Sequence, residues 1–238
     1  MSKKHNSKTN MIKKFLKYIV IFYVLWIAGK LLIEGGTQFI NYIEKSVQAE
    51  KRHVVQDYEE WNLILVNTWN EIPEDYDVTL TELSNGQEVD SRIYPYLQDL
   101  FDAMREDGIY PIVREGYRTA DEQQRILDDK VMAFIREGYS KSRAKRLAEK
   151  WVAIPGTSEH QLGIAVDINA DKEKSSNEEV YEWLAENAYK YGFILRYPQG
   201  KEDITGTAYE PWHYRYVGEE AAEEIFNRQI CLEEYFEW

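Results

Sequence analysis

The 238-residue sequence contains a single cysteine, Cys231. A disulfide framework is therefore excluded, and so is a cysteine-based zinc finger, which needs several thiols at close spacing. An unpaired thiol is the expected state. Histidine is almost as scarce, with His5, His53, His160 and His213 making up the whole set. Beyond the first 34 residues Asp and Glu far outnumber Lys and Arg. Those 34 hold seven lysines and one glutamate, a balance of +6 in a chain of net −13, so residues 35–238 carry −19. A domain that acidic lacks the cationic surface that phosphate contacts require, which excludes nucleic acid as a partner. Small peptides or neutral sugars fit better. Internal repeats and low-complexity tracts are absent too. Hydrophobic residues at 44% and charged residues at 30% rule out global disorder. The length suits one domain plus a tail.

Long apolar runs are few. One of 12 residues covers Tyr18–Gly29, with six lysines before it, and it resumes after Lys30 as Leu31, Leu32 and Ile33. From Phe15 to Ile33 the stretch can cross a ~30 Å hydrocarbon core if it tilts and Lys17 and Lys30 snorkel. Lysines on the N-terminal side place that side in the cytoplasm. The expected organisation is a cytoplasmic basic tail over 1–14, a transmembrane anchor over 15–33, a helical stalk over 34–61 and an extracellular domain over 62–238. The protein is then a single-pass cell-membrane protein. A cleaved signal peptide competes, because 12 apolar residues suit an h-region, but Ala28-Gly29 is a weak cleavage site. Six lysines ahead of the run argue against a core helix.

In the outer domain, Leu63–Val66 and Val78–Leu83 predict strands. Ser91 is placed to cap a helix reaching about Glu106, with Ile93, Leu97, Leu100, Phe101 and Met104 on one face. Tyr110–Arg114 predicts a strand. Thr119 with Glu122 three residues on is a capping-box pattern, opening a helix to about Glu137. Ser140 opens another, to about Lys150. Strands are expected at Ile164–Ile168, Phe193–Tyr197 and His213–Val217. Helices are expected at Asn177–Tyr191, closed by Gly192, and from Gly218 to about Ile230. Mixed order without repeating βαβ units indicates an α+β fold.

Two of the four histidines lie in unusual surroundings: Ser158-Glu159-His160-Gln161-Leu162-Gly163-Ile164-Ala165-Val166-Asp167, and Glu210-Pro211-Trp212-His213. A histidine alone is most often structural. Together, His160, Asp167 and His213 supply the imidazole and carboxylate ligands of a catalytic zinc, which takes three from the protein and leaves one position to water. Asp167 ends an apolar strand, where a buried carboxylate needs a compensating charge. Glu210 stands three residues before His213, placed to take a proton from water and pass it to a leaving amine.

The pattern Ser-x-His-x-x-Gly-x-Ala-x-Asp followed by Glu-x-x-His resembles the VanY-type zinc D-alanyl-D-alanine carboxypeptidases, whose relatives include D,D-dipeptidases and L,D-carboxypeptidases. The resemblance covers Leu63 to Val217. It includes Gly116-Tyr117-Arg118-Thr119, Gln123, Gly156-Thr157-Ser158, Arg196-Tyr197-Pro198 and Tyr209 to Tyr216. Thr119 stands where serine is common. The resemblance implies a compact zinc peptidase domain with a central antiparallel sheet flanked by helices. It implies zinc held by His160, Asp167 and His213, Glu210 as general base, and Arg118 polarising the scissile carbonyl. Gln123 and Ser158 match positions near the substrate, and Trp212 is expected to wall the pocket. The implied substrate is a peptidoglycan stem peptide, trimmed of its C-terminal D-Ala outside the membrane. An L,D-carboxypeptidase, an endopeptidase or a zinc-stabilised wall-binding module without turnover are the alternatives. Arg118 could instead pair with Asp121 or Glu122, Trp212 could be core, and Arg196 and Arg215 read as structural ion-pair partners.

Overall fold

Alternation along two strands organises the domain. In the computed structural model, which describes residues 61–236, β4 (Ala165–Ala170) and β6 (His213–Tyr216) pair antiparallel with Asp167 opposite His213. Side chains alternate across a sheet. Val166, Ile168 and Ala170 with Tyr214 and Tyr216 therefore enter the main core, while Asp167, His213 and Arg215 occupy the opposite face. The edges of this four-stranded sheet are β3 (Pro111–Glu115) and β5 (Phe193–Leu195), in the order β3-β4-β6-β5, all antiparallel. A separate hairpin joins β1 (Leu80–Glu82) to β2 (Glu88–Asp90). The architecture is α+β, as the element order implies.

Helices supply the other half of the core. α1 (Tyr94–Glu106) buries Leu97, Leu100, Phe101 and Met104, the face expected from its spacing. Each fully buried side chain of this kind is worth about 1.5–3 kcal/mol. α2 (Ala120–Arg136) begins in the predicted capping box of Thr119 and Glu122. α3 (Lys141–Ala148) packs on α2, α4 (Asn177–Asn187) adds Val180 and Leu184 to the core, and α5 (Glu202–Thr205) is a single turn. α6 (Glu219–Arg228) and α7 (Leu232–Tyr235) form a second apolar cluster with Leu65, Ile194 and Val217. Cys231, just before α7, is a free, buried thiol.

Three expectations are corrected. Leu63–Val66 is not a strand: Ile64, Leu65 and Val66 are buried in irregular backbone, and the carbonyls of Asn62 and Ile64 accept from the Arg215 guanidinium at 3.1 and 2.8 Å. Ser91 does not cap α1. Its hydroxyl bonds that of Thr81 at 2.8 Å, and the helix opens three residues later with a proline in its first turn. The helix from Asn177 stops at Asn187 and tightens into a 3₁₀ turn, Ala188–Tyr191, before Gly192. The basic tail, the membrane segment and all but Trp61 of the stalk lie outside the described residues. Among the described residues, no helix is long and apolar enough to cross a membrane.

Candidate active site

The sheet register sets Asp167 and His213 side by side, and one short turn adds the third ligand candidate. His160 lies in a 3₁₀ turn, Glu159–Leu162, that leads directly into β4. Gly163 closes the turn at φ +71, where a side chain would also press on the backbone of Asp90. The result is a triangle of two buried histidines and a half-buried Asp167. Asp167 Oδ1 lies 3.0 Å from His213 Nδ1 and 3.4 Å from His160 Nε2, and one ligand atom from each of the three falls within 4.8 Å of the others. The imidazoles meet edge to face at 89°. His160 Nδ1 bonds the Gly116 carbonyl at 2.8 Å, which leaves Nε2 facing Asp167.

The electrostatics favour a cation here. Burial opposes ionisation of Asp167, yet the charge and hydrogen bonds of His160, and those of His213, hold its carboxyl well below the usual range. Burial also opposes charge on His213, but its bond to Asp167 and the nearby Glu159 carboxylate push it up to about 9. Carboxylates that hold a proton there favour a metal ion in its place. His160 is pushed down, first by burial and then by Arg118. Two imidazoles and a carboxylate converging on one point are a donor set that fits zinc.

Glu210 comes from the loop before β6, with Oε2 3.9 Å from His213 Nδ1. Burial pushes its carboxyl up to about 7, within the range suited to a proton acceptor near neutral pH. Arg118 follows β3 through a register shift between Val113 and Glu115. Its guanidinium reaches Asp167 Oδ2 at 3.4 Å, Gln123 Oε1 at 3.1 Å and Glu115 at 3.4 Å. It pairs with neither Asp121 nor Glu122; Glu122 is committed to the capping box. Gln123 is anchored in turn to the Ala153 carbonyl at 2.7 Å.

All eight side chains singled out in the sequence line one cleft: Arg118, Gln123, Ser158, His160, Asp167, Glu210, Trp212 and His213. Its volume of about 120 Å³ is well below the usual ligand-pocket range. Trp212 lies at the wall, 6.5 Å from the Tyr181 ring. A larger, mainly apolar cavity of about 460 Å³ lies between α4, β5 and α6, with Tyr189, Lys201 and Tyr214 in its lining.

Tyr197, Gly116 and Glu159 stand inside the motifs quoted from the sequence, but sequence reasoning assigned them no role. The Tyr197 ring lies 4.8 Å from that of His213. A methyl on Gly116 would stand 2.1 Å from the Glu88 carbonyl oxygen, so only glycine fits where its own carbonyl holds His160. Glu159 is fully buried and accepts from Arg196 Nε at 2.7 Å and Arg215 at 2.8 Å. Burial opposes its charge, but both arginines keep it well below the usual glutamate range. The two arginines are thus the ion-pair partners expected. A carboxylate directly before the first motif histidine was the available signal for Glu159.

Comparison with known proteins gives one consistent outcome. The family model VanY, D-alanyl-D-alanine carboxypeptidase, matches residues 86–219. A D-alanyl-D-alanine carboxypeptidase of Enterococcus faecalis is 62% identical over 179 residues, covering 75% of this chain and 67% of that protein. A mutant of the vancomycin resistance D,D-pentapeptidase VanY from the VanB-type cassette, solved in complex with Zn(II), is 62% identical with a TM-score of 0.73, over 74% of this chain and 99% of that one. VanYB in complex with D-alanine-D-alanine is 61% identical with a TM-score of 0.74, over 75% and 98%.

Proposed function

Because the chain belongs to the VanY family of D-alanyl-D-alanine carboxypeptidases, we propose that it is a zinc-dependent D,D-carboxypeptidase that removes the terminal D-Ala of peptidoglycan stem peptides. The observation that carries this reading is the convergence of His160, Asp167 and His213 with Glu210 and Arg118 in one small cleft. A binding module needs the metal triangle at most. It has no use for a buried carboxylate and a guanidinium aimed at the same space.

His160 Nε2, Asp167 and His213 Nδ1 would hold the zinc, which when bound supplies Lewis acidity that polarises a carbonyl and acidifies water. Glu210 accepts a proton from the attacking water. The water oxygen bonds to the carbonyl carbon of the terminal peptide bond, and the carbonyl oxygen takes the electron pair. Arg118 donates to that oxygen as its charge develops, an interaction stronger in the tetrahedral state than in the substrate. Glu210 then gives its proton to the departing D-alanine nitrogen as the C–N bond breaks. Gln123 holds Arg118 in place, Ser158 lies near the substrate, and Trp212 walls the cleft. The pattern of residues 1–33, lysines and then an apolar run, supports an anchor that keeps the N-terminus cytoplasmic and this domain at the outer face of the membrane.

The test is a product analysis. The full-length chain in detergent with zinc is incubated separately with muramyl pentapeptide and tetrapeptide, and the products are weighed. Loss of one alanine from the pentapeptide alone is expected. Loss from the tetrapeptide alone would reassign the site as an L,D-carboxypeptidase. No change in either would move the search to cross-linked substrates. Protease accessibility in intact cells tests the outer location.

A further inference from the structure

Two buried polar atoms without hydrogen-bond partners face each other behind the metal triangle. They are Glu159 Oε2 and His213 Nε2, 3.6 Å apart. The other nitrogen of the same ring, Nδ1, is the one turned to Asp167. A ring that binds metal through Nδ1 must carry its proton on Nε2, and a buried N–H needs an acceptor. Glu159 Oε1 is already taken by both guanidinium groups, so Oε2 is the acceptor that remains.

The charges behind Glu159 form a closed set. Arg196 grips Glu233 of α7 with two hydrogen bonds, at 2.9 and 2.7 Å, and Asn67 donates to the same Glu233 at 3.0 Å. Arg215 holds the backbone at Asn62 and Ile64. Buried ion pairs of this kind add little net stability, because desolvation offsets their attraction. Their value here is positional. We propose that Glu159 is a positioning residue that fixes the tautomer and orientation of His213, and that Arg196, Glu233 and Asn67 hold Glu159 against the ring. α7 is then part of the support of the metal site. Asn67 and Glu233 both lie outside residues 86–219, the span matched by the family model. The inference rests on the zinc site proposed above but not on which peptide bond is cut.

The experiment reads zinc affinity rather than turnover, so failure of the substrate assignment leaves it interpretable. Zinc dissociation constants of the full-length chain are measured by chelator competition. The chains compared are the wild type, Glu159→Gln, Glu233→Gln and Ser176→Ala. The last breaks the capping box of α4, remote from the network, and serves as a stability control. Loss of an outer-shell partner costs about 10–100-fold in metal affinity. Glu159→Gln is expected in that range, Glu233→Gln to lose at least severalfold, and Ser176→Ala to stay within twofold. Equal affinities for Glu233→Gln and wild type would overturn the proposal, as would equal losses in Glu233→Gln and Ser176→Ala. If the substituted chains do not fold, nitrogen-15 histidine spectra of the zinc-loaded wild type decide. One zinc-bound ring must coordinate through Nδ1 with a slowly exchanging Nε2 proton, and the other through Nε2. Two rings bound through Nε2 would overturn it.

Discussion

Replacing Gly116 by alanine tests how the fold holds its first histidine. The added methyl would lie 2.1 Å from the Glu88 carbonyl oxygen, 3.1 Å from its carbon and 3.4 Å from Val89 Cγ1. Two of these atoms are backbone and cannot rotate away. The oxygen contact must open by roughly 1 Å or more before it reaches ordinary van der Waals distance. The same short segment carries the Tyr117 N–H to Glu88 O bond at 2.6 Å, the Gly116 N–H to Gln87 bond at 3.0 Å and the Gly116 carbonyl that holds His160. Overpacking of this sort costs about 1–3 kcal/mol. At about 2–4 °C per kcal/mol for a domain of this size, the unfolding temperature drops by roughly 2–12 °C. Releasing the His160 ring should in addition weaken zinc binding about 10–100-fold. Calorimetry of the metal-free protein and chelator competition read the two effects separately. Gly86→Ala is the control: at φ +80 it is strained, but a methyl there meets nothing within 4 Å, and zinc affinity should hold. A Gly116→Ala protein that melts like wild type and binds zinc within twofold of it would refute the close-approach reasoning.

Other outcomes follow from the same geometry. Glu210→Gln should retain zinc, measured by metal analysis, while pentapeptide turnover falls by about 10²–10⁴. Wild-type turnover in that variant would remove Glu210 from the reaction. Arg118→Ala should lower kcat by about 10²–10³, chiefly through the transition state, as read by steady-state kinetics on the same peptide. Chelation should abolish hydrolysis and added zinc restore it. Thr119→Ala should cost about 1 kcal/mol in denaturant unfolding, as loss of a helix cap does. Hydrogen bonds from the Thr119 backbone and hydroxyl hold Glu122 below its ordinary value of 4.5. Its contribution is therefore present above that value and lost as pH falls through the lowered one. The stability gap between wild type and Glu122→Ala should narrow as pH falls below 4.5, and a gap unchanged by acidification would contradict the assignment.

Much of this was legible in the sequence because the chemistry is concentrated in short motifs. Asp167 and His213 sit on strands whose alternation is written in the sequence, so that pairing them places both on one face. The capping box at Thr119 is a local pattern and forms as read. Features that depend on distant partners were not legible. Leu63–Val66 has the composition of a strand, but the Ile64 carbonyl and that of Asn62 just before the segment are claimed by a guanidinium about 150 residues away, and no local pattern encodes that. Ser91 looks like a cap until Thr81 takes its hydroxyl. Glu159 shows no periodicity, and its meaning emerges only when Arg196, Arg215 and the back of His213 are seen around it.

The tie from Asn67 to Glu233 also bears on how the domain is made. These partners are 166 positions apart, and Arg215 meets Asn62 and Ile64 across 153 and 151. Contacts of such separation carry the largest loop-closure cost and slow folding. Synthesised at about 5–20 residues per second, the opening segment of the domain precedes its clasp by on the order of ten seconds. The helices and hairpins can form in that interval, but the metal pocket gains its rear wall last. A chain stalled before α7 should therefore be recognisable as one that has its secondary structure and does not yet retain zinc.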